Sequence, residues 1–545
     1  MGKKKKKKKK KKKAKRYIDL ACQCQSLYNV AIYDVFGAAA SEYIIEHAEL
    51  KCVVASLPHI PTLLKLKPKL PLLKIIVSLD PLDAGEPQGY SKRAILESMA
   101  KDLGVTLYTL DQVEAIGAAS KRPYNPPSPS SYCTINYTSG TTGPPKGVML
   151  THANAISAST VGISTFASQS NPTVLSYLPL AHIYARLCEH VSLYCGARIG
   201  YFHGNILELV DDIKELKPTT FISVPRLYNR FGNAIRAATI EQPGFKGAMS
   251  RYILEAKKHN LATKGTFTHP IYDRIWSRKV AAAIGLENCT YMISGSAPLD
   301  PALQDFLRVA LAIEFSQGYG MTETYAMGCV QLPDDVSTNN CGAVRPCTEA
   351  CLLSLPDMEY SVDDKPYPRG ELLVRGKNVF NGYYKDPEET ANSMTEDGWF
   401  RTGDICKIDE FGRVIIIDRR KNVLKLAHGE YIAPERLEGV YLSELGYLSQ
   451  GYVHGDGMQN FLVGIFGVMP DMFAPFASRE LGREISPTDS EAIKSVLSDD
   501  RIRKAVLRDM EHVAKLHKLA GYERIKNLVL LPDPFTIENN LVTPT

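Results

Sequence analysis

The sequence predicts an α/β protein of more than one domain, on three observations. Apolar runs alternate with helical patterns near the N-terminus, a strand runs into a loop rich in glycine and hydroxyls, and the pattern turns to mixed α+β past Arg419. At 545 residues the chain is also longer than one hydrophobic core normally supports. Between Leu27 and Leu79, the runs Val30–Tyr33, Cys52–Ala55 and Ile75–Val77 alternate with a helical pattern over Ala38–Glu49. Strands buried on both faces read as unbroken apolar runs, so a doubly wound parallel sheet is the expected architecture. A proline-rich surface segment, Arg122–Pro129, leads into a strand in which Cys133, Ile135 and Tyr137 alternate with polar residues. Val148–Leu150 predicts a short strand, and Thr151 is placed to cap a helix starting near His152. Asp300 and Pro301 have the cap and first-turn chemistry for a helix over Ala302–Leu311. The charged, turn-rich stretch Asp334–Pro368 suggests hairpins. Near Asp500–Leu519, Ile502, Val506, Met510 and Val513 fall on one helical face, a packing stripe.

Composition narrows the function classes. Apolar residues make up 44% of the chain, ordinary for a globular protein. The formal charge of +6 becomes −7 once the 13 positive charges of Lys3–Lys13, Lys15 and Arg16 are set aside. The body is therefore mildly acidic and offers no nucleic-acid surface; residues 1–16 are expected to be a solvated lysine-rich tail or an artefact of the sequence. Twelve cysteines lack metal-ligand spacing: Cys22 and Cys24 are too close, and Cys341, Cys347 and Cys351 have no histidine nearby, so reduced thiols are expected. The most apolar segment, His59–Leu79, is broken by lysines and prolines. Any membrane contact is expected to be peripheral, and no secretory signal is recognisable.

The stretch Tyr137-Thr138-Ser139-Gly140-Thr141-Thr142-Gly143-Pro144-Pro145-Lys146-Gly147 concentrates hydroxyls, glycines and a lysine in one loop. Glycines let backbone N–H groups approach phosphate oxygens, hydroxyls add rotatable donors, and lysine adds a compact positive charge. A P-loop is excluded, because Pro145 precedes Lys146 and Gly147 takes the place of the magnesium-binding hydroxyl. The alternation leading into the loop argues against a flexible linker.

The loop resembles the signature of the acyl-adenylate-forming enzymes, and four further segments match that superfamily in order. In Gly318–Thr324 the resemblance implies that Tyr319 stacks on adenine beside Gly320, that Thr322 touches phosphate and that Glu323 holds magnesium. In Ser294–Leu299, Gly295 and its small neighbours would lie against the adenine. In Gly398–Asp404, the Asp404 carboxylate would accept from the ribose hydroxyls. In Asp418–Asn422 and Lys425–Tyr431, Arg419 would reach the ribose, while Lys425 and Gly429 would line the site of the second half-reaction. Thr138, Ser139, Gly140, Thr141, Thr142, Gly143 and Lys146 would grip the phosphates. Taken singly, each segment is an ordinary turn, cap or solvated charge run.

Ser176–Tyr184 resembles the fatty-acid-handling segment of eukaryotic long-chain acyl-CoA synthetases, with His182 near the carboxylate; Ser223–Tyr228 and His428–Glu435 extend the match to nearly everything from Leu20 onward. The resemblance implies an α/β large domain with doubly wound sheets and a small barrel over residues 17–420, then a small α+β domain over 421–545. It implies ATP, Mg2+ and coenzyme A as cofactor and co-substrates, a long-chain fatty acid as substrate, and a cytosol-facing position at the endoplasmic reticulum or peroxisome membrane. Two departures stand out. Ala185 replaces an acidic residue before Arg186, and relatives continue past Asn539–Thr545 to a catalytic lysine. The chain is accordingly expected to be truncated at both ends. The alternatives are a catalytically impaired ATP- and acyl-CoA-binding homologue, a ligase of aromatic or amino acids, and a nucleic-acid binder resting on the lysine tract alone.

Overall fold

The computed structural model describes residues 16–33, 37–83, 92–120, 122–138, 144–163, 171–427, 430–536, 539 and 541. The lysine tract, Ser139–Gly143, His428, Gly429 and the last residues lie outside the described residues.

The expected parallel sheets are present. A six-stranded sheet runs in the order Cys329–Val330, Glu314–Tyr319, Tyr291–Ser294, Thr220–Ser223, Thr173–Ser176, Arg198–Tyr201, parallel throughout except for its first, edge strand. Its central strands bury Phe221, Met292 and Phe315 beneath covering helices. Cys52–Ala55, Ile75–Ser78 and Thr106–Thr109 form a second parallel sheet. In a third, Asn29–Ala31 pairs in parallel with Tyr132–Thr138, which pairs antiparallel with Lys146–Thr151, so the signature loop joins two arms of a hairpin. From the turn-rich stretch onward the chain carries a four-stranded antiparallel sheet: Thr348–Leu353, Arg369–Gly376, Phe400–Ile408 and Val414–Arg419. The last core cluster draws only on residues 424–530. It is built on Leu448–His454, Leu462–Val468 and Ile525–Leu531 with their covering helices, the α+β pattern read from the sequence.

Local rules set the helix starts as expected. Thr151 Oγ1 accepts from the Asn154 N–H at 3.2 Å and Asn154 Oδ1 accepts from the Thr151 N–H at 2.8 Å, a reciprocal cap for helix His152–Gly162. Asp300 caps helix Pro301–Leu311 through the Leu303 N–H at 2.7 Å. The helix at Asp500–Leu516 buries Ile502, Val506, Met510 and Val513. No helix among the described residues is long and apolar enough to cross a membrane.

One region departs from the sequence reading. Arg16, grouped there with the solvated tract, is only 2% exposed, because it opens a helix that runs to residue 23 and packs its charges inward. Asp19 accepts from Arg16 Nη1 at 2.5 Å and from Arg186 Nη1 at 2.6 Å, and Asn29 adds a further donor. Arg16 also approaches Glu189 at 3.4 Å, and His190 lies 3.8 Å from Asp19. Arg186 thus finds its carboxylate on the N-terminal helix, and Ala185 is simply buried. Burial alone would raise the Asp19 pKa, but Arg186, His190 and Arg16 overcome it and hold the carboxyl far below its usual range. Asp19→Asn leaves the Arg186 guanidinium buried without its charge partner and Arg16 with Glu189 alone. It is expected to destabilise the fold by about 3–5 kcal/mol in denaturant titration; a loss below about 1 kcal/mol, the worth of an exposed pair, would show that the network does not hold the helix down.

Candidate active site

One cavity of about 790 Å³ gathers most of the residues singled out in the sequence: Thr138, Lys146, His182, Gly295, Tyr319, Gly320, Thr322, Glu323 and Arg419 all line it. Its polar part is built on the turn that follows strand Glu314–Tyr319. Gly320 has no room for a side chain, since a Cβ there would sit 2.3 Å from the Ala326 carbonyl oxygen. Thr322–Thr324 forms a single 3₁₀ turn, and Tyr325 and Ala326 then take positive φ of 52° and 60° to reverse the chain. Asn378 Nδ2 donates to the carbonyls of Thr324 and Met327, at 3.1 and 2.5 Å, and the Phe380 N–H donates to the Glu323 carbonyl at 2.8 Å. The reversal thereby becomes rigid. The Tyr325 hydroxyl meets His190 Nδ1 at 3.1 Å, connecting the turn to the buried network around Asp19.

Glu323 is 7% exposed, and its carboxylate accepts from the Tyr383 hydroxyl at 3.0 Å. Burial pushes its pKa up against the pull of the Tyr383 hydroxyl and of Arg419, and among the described residues no cation lies within ion-pair distance of it. Lys146 forms an ion pair with Glu389 and lies 5.5 Å above the centre of the Tyr383 ring. Asp404 adjoins the cavity, where it accepts from the Tyr319 hydroxyl at 2.5 Å and faces Arg419 Nε at 3.6 Å; burial raises its pKa. Arg401, Arg420 and Lys421 add positive charge to the lining. The polar arm therefore combines buried carboxylates with a rim of cations, a match for ribose hydroxyls and phosphates.

The other arm is apolar, lined by Gly162, Ile183, Leu187, Val191, Ile222 and Ile293. His182 also lines the cavity and has a structural duty as well, because its Nδ1 accepts from the Tyr184 N–H at 3.2 Å to cap helix Ile183–Tyr194. Burial lowers its pKa, keeping the ring neutral. The Tyr184 ring packs against Gly295, where an added Cβ would come within 3.3 Å of it.

Some expected residues are not brought together. Lys425 is absent from the cavity lining and hydrogen-bonds the Tyr431 hydroxyl at 3.1 Å on the surface. Gly429 and Ser139–Gly143 lie outside the described residues. Sequence reasoning missed Tyr383 and Glu389. Asp386-Pro387-Glu388-Glu389 does carry the cap-and-proline signature of a helix start, borne out at Pro387–Ser393, but nothing in it reveals a partner 243 residues away.

Comparison with known proteins decides the family. Residues 17–384 match the family described as AMP-binding enzyme. Acyl-CoA ligase 891, peroxisomal, of Penicillium roqueforti is 67% identical over 531 residues, covering 97% of this chain and 75% of that protein. The protein is an AMP-binding acyl-CoA ligase. Long chain acyl-CoA synthetase 7, peroxisomal, of Arabidopsis thaliana is 37% identical to the ligase, with 97% of this chain and 73% of that one covered. Among solved structures, the A domain of carboxylic acid reductase from Segniliparus rugosus, in complex with AMP and a co-purified carboxylic acid, superposes with a TM-score of 0.72 at 25% identity, over 96% of this chain and 76% of that one. ATP-bound MatB from Rhodopseudomonas palustris superposes at 0.61 and 21% identity, over 94% and 82%. The ligase thus has the adenylate-forming fold, with a large N-terminal and a small C-terminal domain, and it joins acids to coenzyme A at the expense of ATP through an acyl-adenylate.

At the edge of the cavity, Asp418 accepts from the Arg419 N–H at 2.6 Å through one oxygen, while the other is buried without a hydrogen bond. Burial first, then the nearby Glu435, raises its pKa to about 7, and Glu438 is raised to about 7 in the same way. A raised folded-state pKa means that the stabilisation is complete below the unfolded value, about 4, and is lost as the pH rises through 7. Asp418→Asn should therefore unfold at a higher temperature than the parent at about pH 8, the gap closing as the pH falls towards about 4. A gap that does not change with pH would show that the carboxyl does not titrate between the two states.

Proposed function

We propose that the ligase activates long-chain fatty acids, with the acyl tail in the apolar arm and ATP in the polar arm of the cavity. The observation that carries this reading is the apolar arm itself, six nonpolar positions opening beside His182 and the Thr322–Glu323 turn. A relative named as a long chain acyl-CoA synthetase supports it. In the first half-reaction a carboxylate oxygen attacks the α-phosphorus of ATP and pyrophosphate leaves. In the second, the thiol of coenzyme A attacks the acyl carbon and AMP leaves. Both relatives carry the word peroxisomal in their names, which favours a peroxisomal position for this chain over the endoplasmic reticulum.

The residues divide the first half between them. His182 and Tyr184 flank the carboxylate, Lys146 leaves Glu389 to meet the phosphates with Thr138 and Thr322, and Asp404 with Arg419 holds the ribose beside Tyr319. Glu323 has the chemistry to hold magnesium: it is a buried carboxylate with no ion-pair partner among the described residues. Magnesium sites shared with nucleotide commonly use one or two carboxylates plus phosphate oxygens, and the ion would neutralise charge on the phosphates. The large domain is placed at residues 17–420 and the small one from 421, with rotation near Asp418–Lys421 exposing a different face for the second half, where Lys425 and Gly429 belong.

Glu323→Gln keeps the hydrogen bond from Tyr383 but removes the charge, and is expected to abolish magnesium-dependent pyrophosphate exchange with the fold intact. Lys146→Ala should slow exchange on the order of ten- to a hundredfold while ATP still binds, since it removes one flexible contact among several. Equal and complete loss of ATP binding in both would overturn this division.

The substrate reading is tested by filling the apolar arm. Leu187→Phe should move the preference from palmitate towards shorter acids, and in the parent chain palmitate should displace a bound acyl-adenylate analogue better than 4-coumarate. If 4-coumarate displaces it better, the long-chain assignment is wrong while the ligase assignment stands.

A further inference from the structure

The helix Gly244–Lys264 buries Gly247, Ser250, Ile253, Leu254 and Lys257 and turns a second, apolar stripe to solvent. Phe245 is 82% exposed and Tyr252 67%, with Met249 between them, at the spacing that places all three on one helical face. The stripe does not end with the helix. The Tyr252 ring meets the Tyr272 ring edge-on at 6.4 Å, which brings the turn over residues 270–277 alongside and adds Ile271, 63% exposed, and Ile275. Exposed cations lie on the same two segments: Lys246, Arg251 and Lys258 on the helix, the last paired with Glu255 at 3.6 Å, and Arg274, Arg278 and Lys279 beyond it. Residues 241–279 contain eight lysines and arginines against three acids, in a chain whose charge is −7 without its N-terminal basic tract. Of the three acids, Asp273 is neutralised by the buried Lys257 at 2.5 Å.

Aromatic and aliphatic side chains projecting together through a basic collar have the composition of a surface that lies in the lipid headgroup layer, with rings reaching the acyl boundary and cations on the phosphates. The excess of positive charge selects an anionic partner, and the protruding separate rings suit a fluid layer better than a shaped protein groove. We propose that this face seats the ligase on the surface of an anionic phospholipid membrane, with Phe245, Tyr252 and Ile271 inserted and Arg274, Arg278 and Lys279 on the headgroups. The proposal does not depend on the length of the acyl substrate.

The test uses the full chain carrying Phe245→Trp and measures emission on adding vesicles of equimolar phosphatidylserine and phosphatidylcholine, without ATP or fatty acid. Expected are a blue shift and quenching by lipids brominated in the acyl chain, with neither on pure phosphatidylcholine. Adding Tyr252→Ala and Ile271→Ala should weaken partitioning about tenfold or more, and Arg274→Glu with Arg278→Glu should remove the dependence on phosphatidylserine. Each variant should retain parental ATP binding, which confirms its fold. Sedimentation with vesicles while the Trp emission stays unchanged would overturn the proposal, since the lysine tract alone would then account for binding. An emission shift that follows protein concentration without vesicles would overturn it in favour of a second copy of this chain.

Discussion

A carboxylate kept inside the protein with no ion-pair partner among the described residues is the constraint around which the site is arranged. Glu323 has the Tyr383 hydroxyl as its donor, and burial favours its neutral form. Leaving such a group charged is costly unless positive charge offsets it; Arg419 does so only at a distance, and a cation carried by the nucleotide would do so in the reaction proposed above. Holding that side chain in place takes a chain reversal at two residues with positive φ, pinned by Asn378 and Phe380 and backed by Tyr325, His190 and Asp19. The N-terminal helix, the long helix after His182 and the antiparallel sheet region are thus tied to one turn of a few residues.

The cavity is divided by chemistry rather than by shape. Charged side chains cluster around the Thr322–Glu323 turn, and aliphatic ones continue from Ile183 along the helix that His182 caps. In the reaction proposed above, the acid would meet the nucleotide where these two kinds of lining adjoin, which would supply the proximity that the joining of two anions requires. Lys146 paired with Glu389 and Asp404 accepting from Tyr319 keep these charged side chains ordered.

What could be read from the sequence was whatever depends on neighbouring residues. The caps at Thr151 and Asp300, the apolar runs of the parallel strands and the stripe on helix Asp500–Leu516 are local patterns, and all appear where expected. Thr138, Lys146, His182, Tyr319, Glu323 and Arg419 were legible because they fall in motifs of short spacing, and the fold brings them to one cavity. The partners were not legible. Arg16 looks like the end of a lysine tract until Asp19 and Glu189 meet it, and Glu389 looks like a helix-start acid until the chain returns it to Lys146. Ion pairs between distant residues leave no periodicity to detect, and strand neighbours such as Asn29–Ala31 with Tyr132–Thr138 are set by topology.

The most direct test of the two-arm account is to follow oxygen from the acid. With palmitate labelled in its carboxylate by oxygen-18, together with ATP and coenzyme A, attack on the α-phosphorus requires one labelled oxygen to leave with AMP and none with pyrophosphate. Label recovered in pyrophosphate or phosphate, or AMP formed without label while thioester accumulates, would contradict joining of the acid to the nucleotide in this cavity.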